Sequence, residues 1–404
     1  SVAPIDRMMS NGMPFDIVGH ERVLRRFEEG VELASRSLAR ICPEIANWDS
    51  PTQVVKWLNT KLSECPLEDR RSALAGWEKT GGGALTLGRA VLTERLSGGH
   101  IKDGYLRKVL SRYLARQRRK KIKSTYGSSL RKLVSDGRIY GHLRIMGAVT
   151  GRMSSSEPNL QNMPSGAFRG LFKASEGCKI LVCDYSQIEV RVGGMLADCD
   201  VLGDIFSKGI DVHRGTAAKM FRVSVDEVTK AQRRAAKSLT FGMQFGMGAR
   251  SIAKLMDCTV EEANGFIRLW KSTYPKVSVW RDAQAKIGSQ GGLLTTAGGR
   301  TIYVNRGVSP SCCYNYPVQG SASDVMYAAI IELDRLLSWE DIDCRPIAVV
   351  HDEIVMESAD RDVDRSKELL EMAMLNGFKQ IFPDGDVTGL LDDGCLVGDS
   401  WGVK

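Results

Sequence analysis

Three groups of side chains in this 404-residue chain have the types and spacing needed for metal-assisted chemistry on phosphates. In the first, the apolar run over residues 180–183 predicts a buried strand, and Asp184 follows directly. A carboxylate at a strand end can hold a divalent cation rigidly. Ser186 and Glu189 have the Ser-x-x-Glu spacing of a capping box, so a helix is expected next. The alternative is a buried strand, an ordinary helix cap and a solvated aspartate.

The second group lies on one stripe of a predicted helix. Arg233, Lys237 and Phe241 follow one another at intervals of four, so successive side chains are turned by only about 40°. Two cations followed by an aromatic ring suit a triphosphate that leads to a sugar and a base. The alternative is two surface cations beside a core phenylalanine. Gly242 and Gly246 favour close approach or a hinge, because a glycine within a helix costs about 1 kcal/mol relative to alanine.

The third group is the tip of a predicted hairpin. Residues 347–350 and 354–356 are apolar strand-like runs, and His351, Asp352 and Glu353 separate them. The pattern predicts two acids at the tip. Acids at a surface turn are common, so this group indicates a functional site only in combination with the others.

Amide and guanidinium side chains are concentrated in the loop over residues 150–164 and in the segment over residues 315–320, which precedes a predicted helix. Such side chains can read acceptors in a duplex minor groove or hold sugars and phosphates. The candidates are Arg152, Asn159, Gln161, Asn162, Asn315 and Gln319.

Charge and composition narrow the class of partner. The net charge is only +8, but residues 107–132 contain eleven basic residues and no acid. This block predicts contact with a polyanion such as a nucleic-acid backbone, with a soluble basic helix as the alternative. No apolar run approaches the ~20 residues of a membrane span. The ten cysteines form no CxxC pair, which predicts free thiols in a reducing compartment.

Taken together and in this order, these segments resemble the polymerase region of the family A DNA polymerases, the bacterial DNA polymerase I type. The motifs are residues 184–191, residues 233–242 and residues 351–353, supported by residues 150–152, 158–162, 211–213 and 317–320. The resemblance implies an α+β right-hand fold, with a helical thumb, helical fingers and a palm whose sheet is mostly antiparallel. The implied boundaries are palm 1–16, thumb 17–135, palm 136–202, fingers 203–297 and palm 298–404.

The resemblance also implies roles for the site residues. Asp184 and Asp352 would share two Mg²⁺ ions, which Mn²⁺ could replace, with the Tyr185 carbonyl as a further ligand and Glu353 in a supporting catalytic role. Phe241 would pack on the incoming sugar, and Glu189 would crowd its 2′ position. The implied nucleotide-binding set is Gln187, Glu189, His213, Arg233, Lys237, Phe241 and Phe245. The implied DNA-binding set is Lys121, Lys123, Arg152, Asn159, Gln161, Asn162, Asn315, Gln319 and His351.

The implied activity is template-directed addition of dNTPs to a primer 3′-OH, with release of pyrophosphate and without a proofreading domain in this chain. The implied partners are primer-template DNA and dNTPs, and no membrane is involved. The implied state is a monomer, with or without an unidentified processivity factor. The implied location is the cytoplasm of a bacterium or of a phage-infected cell, or an organelle. A single-subunit RNA polymerase and a catalytically inactive DNA-binding relative are the alternatives.

Three positions carry specific expectations relative to bacterial members of the family. Phe245 stands where they commonly have Tyr, so it cannot donate a hydrogen bond to Glu189. Selection of the sugar is therefore expected to be looser or to be maintained in another way. Ser311 stands where they usually have an Arg that faces the primer. Phe241, as opposed to Tyr, predicts stronger rejection of dideoxynucleotides.

Overall fold

The structure, a computed structural model, describes residues 3–256, 258–391 and 394–403. The helices, in chain order, are α1 (Ala3–Asn11), α2 (Ile17–Ile41), α3 (Pro51–Glu64), α4 (Leu67–Leu74), α5 (Arg89–Ser97), α6 (Gly104–Tyr126), α7 (Ser128–Arg131), α8 (Ile188–Leu196), α9 (Asp200–Ser207), α10 (Val212–Phe221), α11 (Lys230–Gln244), α12 (Ala249–Met256), α13 (Val260–Thr273), α14 (Pro275–Gln290), α15 (Pro310–Leu337) and α16 (Val363–Ile381). The strands are β1 (Met13–Pro14), β2 (Val134–Ser135), β3 (Arg138–Ile139), β4 (His142–Arg144), β5 (Ser154–Ser156), β6 (Cys178–Asp184), β7 (Gly292–Thr295), β8 (Thr301–Val304), β9 (Cys344–Val350), β10 (Glu353–Ala359) and β11 (Leu396–Gly398).

The chain divides into two compact units. One is the helical stretch Asp16–Val134, and the other combines the residues up to Phe15 with those from Ser135 onward. In the described part of the chain, no helix combines the length and the apolar character that crossing a bilayer would require.

The helical unit has its own apolar core. Ser50 accepts a hydrogen bond from the third residue of the helix that begins at Pro51, as the Asp-Ser-Pro sequence leads one to expect. Trp57 and Leu58 of this helix pack in one cluster with Leu110 of α6. The unit therefore buries apolar side chains from helices that are distant in sequence.

The basic helix α6 is partly neutralised by acids from other helices and loops. Arg116 is only 7% exposed, and its Nη1 lies 2.6 Å from Asp49 Oδ1. Lys120 Nζ lies 2.7 Å from the same oxygen. Lys123 Nζ lies 2.9 Å from Glu28 Oε1, although about half of the lysine side chain stays exposed. Arg116 is therefore a structural cation, and the expectation of a polyanion partner applies only to the exposed members of the block.

Replacing Asp49 with Asn is expected to destabilise the protein modestly, by at most about 1 kcal/mol at pH 7, because the carboxylate is partly exposed. Hydrogen bonds from Arg116 and Lys120 lower the Asp49 pKa from 3.8 to about 2. A depressed folded-state pKa stabilises the fold above about pH 4, and this contribution is lost as the pH falls towards 2. Thermal unfolding should therefore show a gap between wild type and variant at pH 7 that narrows near pH 2.5.

The matched control is Glu32→Gln, which removes an exposed acid paired with Arg36 on the surface of α2. It should shift the unfolding temperature less than Asp49→Asn does. A gap for Asp49→Asn that stays constant across this pH range would contradict the assignment.

The second unit is organised around a four-stranded antiparallel sheet in the order β11-β6-β10-β9. Strand β6 is the apolar run predicted over residues 180–183, and β9 and β10 form the predicted hairpin. Helices α15 and α16 pack closely on one another, because Gly377 has no Cβ, and a Cβ there would lie 2.5 Å from the Cα of Ala329. This helix pair and the sheet share one apolar core, to which Leu181, Met356 and Phe378 belong.

Helices α9 to α14 have a separate apolar cluster that includes Leu239, Ile252 and Trp270. Gly242 of α11 lies against this cluster, because an added Cβ there would lie 3.3 Å from Ile252 Cγ1. Gly242 was expected to mark either close approach or a hinge, and its contact with α12 is a case of close approach. The tight contact holds α11 in place in this helical region.

Candidate active site

Asp184 and Asp352 lie at the same end of the four-stranded sheet. Asp184 is the last residue of β6, and Asp352 lies in the turn between β9 and β10. The antiparallel register pairs Asp184 with Glu353, and the Tyr185 N–H donates to the Asp352 carbonyl at 3.0 Å. The sheet thus brings together two acids that are far apart in the chain.

Glu353 does not share the environment of these two acids. It is the first residue of β10 and is only 3% exposed. Trp401 Nε1 donates to its Oε1 at 2.6 Å, and Arg169 Nη1 lies 3.3 Å from both carboxylate oxygens. Both acids were expected at the hairpin tip, but Glu353 is already part of β10, where strand pairing buries its side chain. Its contacts tie the sheet end to the segments that carry Arg169 and Trp401.

The expected capping box at the start of α8 is also wrong. Ile188 is the first helical residue, and the N-cap is Gln187, which has a positive φ of 50° and no side-chain capping bond. Glu189 is not bonded to the backbone of Ser186, because its carboxylate faces donors from two other segments. The Ser-x-x-Glu spacing fits a capping box, but the Glu189 carboxylate accepts hydrogen bonds from Arg152 and Gln244 instead.

The Glu189 carboxylate is held at both oxygens. Arg152 Nη2 donates to Oε1, and Gln244 Nε2 donates to Oε2. The same Arg152 nitrogen lies 3.7 Å from Asp352 Oδ1. A chain of polar contacts therefore leads from Asp352 through Arg152 and Glu189 to the C-terminal end of α11.

The loop that carries Arg152 is fixed by a residue to which sequence analysis assigned no role. Arg300 Nη2 donates to the Thr150 carbonyl at 3.0 Å and lies 2.9 Å from Asp324 Oδ1. Gly151 has a φ of +84°, and a Cβ there would clash with the Arg300 guanidinium. Nothing in the local pattern distinguishes Arg300, since its partners come from distant segments.

The cationic stripe lies on α11 as predicted, and Arg233, Lys237 and Phe241 are exposed. Arg233 Nε and Nη2 lie 2.9 and 2.8 Å from the two carboxylate oxygens of Asp211. His213, on the neighbouring helix α10, is 5% exposed. Burial lowers the His213 pKa, and Lys237 and Arg233 lower it further against the opposing effect of Asp211. The imidazole is therefore neutral at pH 7.

The C-terminal end of α11 places two rings together. Phe241 and Phe245 are 53% and 39% exposed, with ring centroids 4.6 Å apart. Gly246 follows with a φ of +69°, and a Cβ there would lie 2.5 Å from Ser311 Cβ and would clash with the Tyr314 hydroxyl. Ser311, the position expected to bear Arg in relatives, thus packs closely against the end of α11.

The amides of the loop over residues 150–164 take part in shaping the loop. Asn159 accepts a hydrogen bond from the Asn162 N–H at 3.2 Å and so caps a short 3-10 helix, Leu160–Asn162. Gln161 Nε2 donates to the Met153 carbonyl at 3.0 Å. The dense amides that suggested DNA contact therefore also have structural partners.

The remaining predicted DNA contacts lie on α15, in the hairpin turn and in the other unit. Asn315 and Gln319 are one turn apart within α15, which begins earlier than expected, and Asn315 lines a small cavity together with Glu189 and Gln244. His351 is exposed in the hairpin turn. Lys121 and Lys123 are exposed residues of α6 in the separate helical unit.

The ligand types available at the acid site suit a hard cation. Within the described ranges, no group of three or more His, Cys, Asp or Glu side chains is arranged to hold a metal ion. Asp184 and Asp352 supply two carboxylates, and the Tyr185 side chain is buried with its hydroxyl donating to the Met374 carbonyl at 2.6 Å, which leaves its backbone oxygen as the third candidate. Mg²⁺ is typically held by one or two carboxylates together with substrate phosphates and water. The residues therefore fit Mg²⁺ completed by a phosphorylated substrate.

Comparison with known proteins identifies the family of this chain. The model of DNA polymerase family A matches residues 20–401. DNA polymerase I of Pseudomonas aeruginosa is 36% identical over 295 residues, which cover 69% of this chain and 32% of that protein. The thermostable DNA polymerase I of Thermus thermophilus is 32% identical over 385 residues, which cover 90% of this chain and 44% of that protein. The chain thus spans less than half the length of these relatives.

A solved structure shares the fold. The POL domain of Pol1 from M. smegmatis, in complex with DNA primer-template and dNTP, matches with a TM-score of 0.82 and 25% identity, covering 99% of this chain and 70% of that chain. The expected α+β right-hand polymerase fold is confirmed by this match. With a family model that extends over nearly all of its residues, the chain belongs to DNA polymerase family A.

Proposed function

We propose that this chain is a DNA-directed DNA polymerase, which adds dNTPs to the 3′-OH of a primer paired with a template and releases pyrophosphate. The observation that carries the proposal is the meeting of Asp184 and Asp352 at one sheet end, linked by contacts through Arg152 and Glu189 to the helix of the cationic stripe. The solved relative in complex with DNA primer-template and dNTP supports the same assignment of substrates.

Asp184 and Asp352 are proposed to hold two Mg²⁺ ions, or Mn²⁺ in their place, with the Tyr185 carbonyl. When bound, such ions activate the attacking hydroxyl and neutralise charge on the leaving pyrophosphate. The two acids contribute a fixed geometry, since their backbones are joined by the hydrogen bond from Tyr185 to Asp352. Glu353 is proposed to act as a positioning residue, because its carboxylate is buried against Arg169 and Trp401.

The stripe on α11 is proposed to bind the triphosphate. Lys237 and Arg233 would supply positive charge. Arg233 would release its hydrogen bonds to Asp211 and form hydrogen bonds to phosphate oxygens in their place. Gln187, exposed at the start of α8, would add a neutral contact. His213 would also contribute a neutral hydrogen-bonding ring, because its lowered pKa keeps it uncharged at pH 7.

Glu189 and Phe241 are proposed to select the sugar. Glu189 would exclude a 2′-OH, and the exposed Phe241 ring, tilted against the ring of Phe245, would pack on deoxyribose. Phe241→Tyr is expected to reduce the preference for dNTP over ddNTP by at least about tenfold, because the added hydroxyl can replace the missing 3′-OH as a hydrogen-bonding group. Competition of ddTTP with dTTP in a single-nucleotide assay measures this ratio.

The use of dTTP alone provides the internal control for Phe241→Tyr, since its kcat/KM should stay within about threefold of wild type. A ddNTP preference that does not change would count against placing Phe241 at the sugar.

DNA is proposed to bind to both units. The unit Asp16–Val134 would be the thumb, with Lys121 and Lys123 on the backbone, while palm and fingers would follow the boundaries expected from the sequence. The amides at positions 159, 161, 162, 315 and 319, with Arg152 and His351, would contact the primer and template. Binding should then weaken steeply as salt rises. We propose that the protein acts inside the cell as a monomer.

Primer extension tests the function directly. We expect templated extension with dNTPs and Mg²⁺, none after chelation by EDTA, and little with NTPs. Equal use of NTPs and dNTPs would favour an RNA polymerase. Tight primer-template binding without any extension would favour an inactive DNA-binding protein.

A further inference from the structure

We propose that Gln244 is the positioning residue for the Glu189 carboxylate and that discrimination against ribonucleotides depends on the hydrogen bond between them. The inference rests on the proposed function, since it assigns Glu189 to the 2′ position of the incoming sugar. Nothing in the spacing of the motif on α11 singled out position 244, because its side chain lies off the stripe of Arg233, Lys237 and Phe241.

The first observation is that both oxygens of Glu189 are engaged. Gln244 Nε2 donates to Oε2, and Arg152 Nη2 donates to Oε1. The Glu189 side chain is only 17% exposed. A glutamate has three rotatable side-chain bonds, so two converging donors remove conformational freedom that would otherwise let the carboxylate move away from a ribose hydroxyl.

The second observation is that Gln244 is on a rigidly held element. It is the last residue of α11, and the Met247 N–H closes the helix end on the Gly242 carbonyl at 2.8 Å. Gly242 packs against Ile252, and Gly246 packs against Ser311 so closely that neither site has room for a Cβ without displacement of its neighbour. The amide is therefore presented from a backbone fixed on two sides.

The third observation is that neither Phe245 nor Arg152 is well suited to position the Glu189 carboxylate. Phe245 has no polar side-chain atom, and its ring lies 4.6 Å from that of Phe241. Arg152 is shared, because its Nη2 also lies 3.7 Å from Asp352 Oδ1 and the residue is proposed to contact DNA. The neutral amide of Gln244 can keep its bond to Glu189 when Arg152 turns to another partner. This answers how sugar selection is maintained with Phe at position 245.

The test is Gln244→Met, which keeps the length and unbranched shape of the side chain but removes the donor. We expect the ratio of kcat/KM for dNTP to that for NTP, measured opposite one template base, to fall at least about tenfold, chiefly through a lower KM for NTP. The kcat/KM for dNTP should stay within about threefold of wild type. Gln290→Met, the same change at the exposed end of α14, is the matched control and should leave the ratio unchanged.

A second substitution that restores a donor to Glu189 distinguishes a positioning role of Gln244 from a general role in stabilising the fold. A Tyr at position 245 is expected, from the family resemblance, to donate to Glu189, so Gln244→Met/Phe245→Tyr should recover at least about half of the lost discrimination on a logarithmic scale. If Gln244→Met does not fold, Gln244→Glu retains the shape and polarity but repels Glu189, and it should lower the ratio as well. A ratio that stays at the wild-type value, or an equal loss for both nucleotides, would overturn the inference.

Glu189→Ala distinguishes failure of this inference from failure of the proposed function. If wild type prefers dNTPs and Glu189→Ala relaxes that preference while Gln244→Met does not, Glu189 selects the sugar without Gln244. If wild type does not extend primers, the proposed function itself is wrong.

Discussion

Replacing Asp184 with Asn is expected to lower kcat for primer extension at least about 1,000-fold, while the Kd for primer-template stays within about threefold. The amide removes the charge that would hold a divalent cation but preserves the size of the side chain at the end of β6. DNA binding should persist, because the proposed DNA contacts lie on other residues. Rapid-quench extension gives the rate, and fluorescence anisotropy gives the Kd.

Asp352→Asn should behave in the same way, since the two acids are proposed to act on the same ions. Asp198→Asn provides the control, because this aspartate is 92% exposed, is paired with Lys276 and has a left-handed backbone that Asn tolerates. It should retain activity within about twofold of wild type. Full activity in either site variant would refute the catalytic assignment.

Replacing Lys237 with Ala is expected to lower kcat/KM for dNTP at least about 100-fold, by loss of a cation that stabilises the charge on the triphosphate as it develops. Steady-state kinetics across a range of dNTP concentrations, with saturating primer-template, measure the effect. The change should appear in both kcat and KM, whereas the Kd for primer-template should stay close to wild type.

Arg234→Ala is the matched control for Lys237→Ala. Arg234 is an exposed cation of α11, but it is turned by about 100° from its neighbour Arg233 and therefore lies off the stripe. Its loss should change kcat/KM for dNTP no more than about threefold. Equal effects of the two substitutions would indicate that general positive charge, and not the stripe, assists the nucleotide.

The elements that hold the site could be predicted where the sequence has a strong local pattern. The apolar run before Asp184 specifies one strand, the two apolar runs on either side of residues 351–353 specify two more, and all three form. Predicting that Arg233 and Lys237 share one face of α11 requires only the periodicity of an α-helix. That the two acids meet, however, was an expectation from family resemblance, because strand pairing between distant segments has no local signature.

The contacts of buried acids could not be predicted from spacing. Glu189 fits a capping box, but Arg152 and Gln244 bind it in preference, because charged and amide donors from other segments converge on it. Glu353 is next to Asp352 in sequence, yet Asp352 lies in the turn, whereas Glu353 begins β10 and accepts a hydrogen bond from Trp401, which is distant in the chain.

The basic block overstates the number of unpaired cations on α6 for a similar reason. The block over residues 107–132 contains no acid, but Asp49 and Glu28 lie against it in the folded helical unit. A count of basic residues along the sequence does not include the acids that folding brings into contact with them. Arg116 is accordingly buried beside Asp49, whereas Lys121 remains exposed.

The most direct test of the central claim is the stoichiometry of Mn²⁺, followed by electron paramagnetic resonance, in a complex of the protein with dideoxy-terminated primer-template and the next dNTP. The account predicts two ions per complex for wild type and weakened or lost binding in Asp184→Asn and Asp352→Asn, with Asp198→Asn unchanged. Equal Mn²⁺ binding by wild type and both site variants would contradict the claim that these two acids hold the metal.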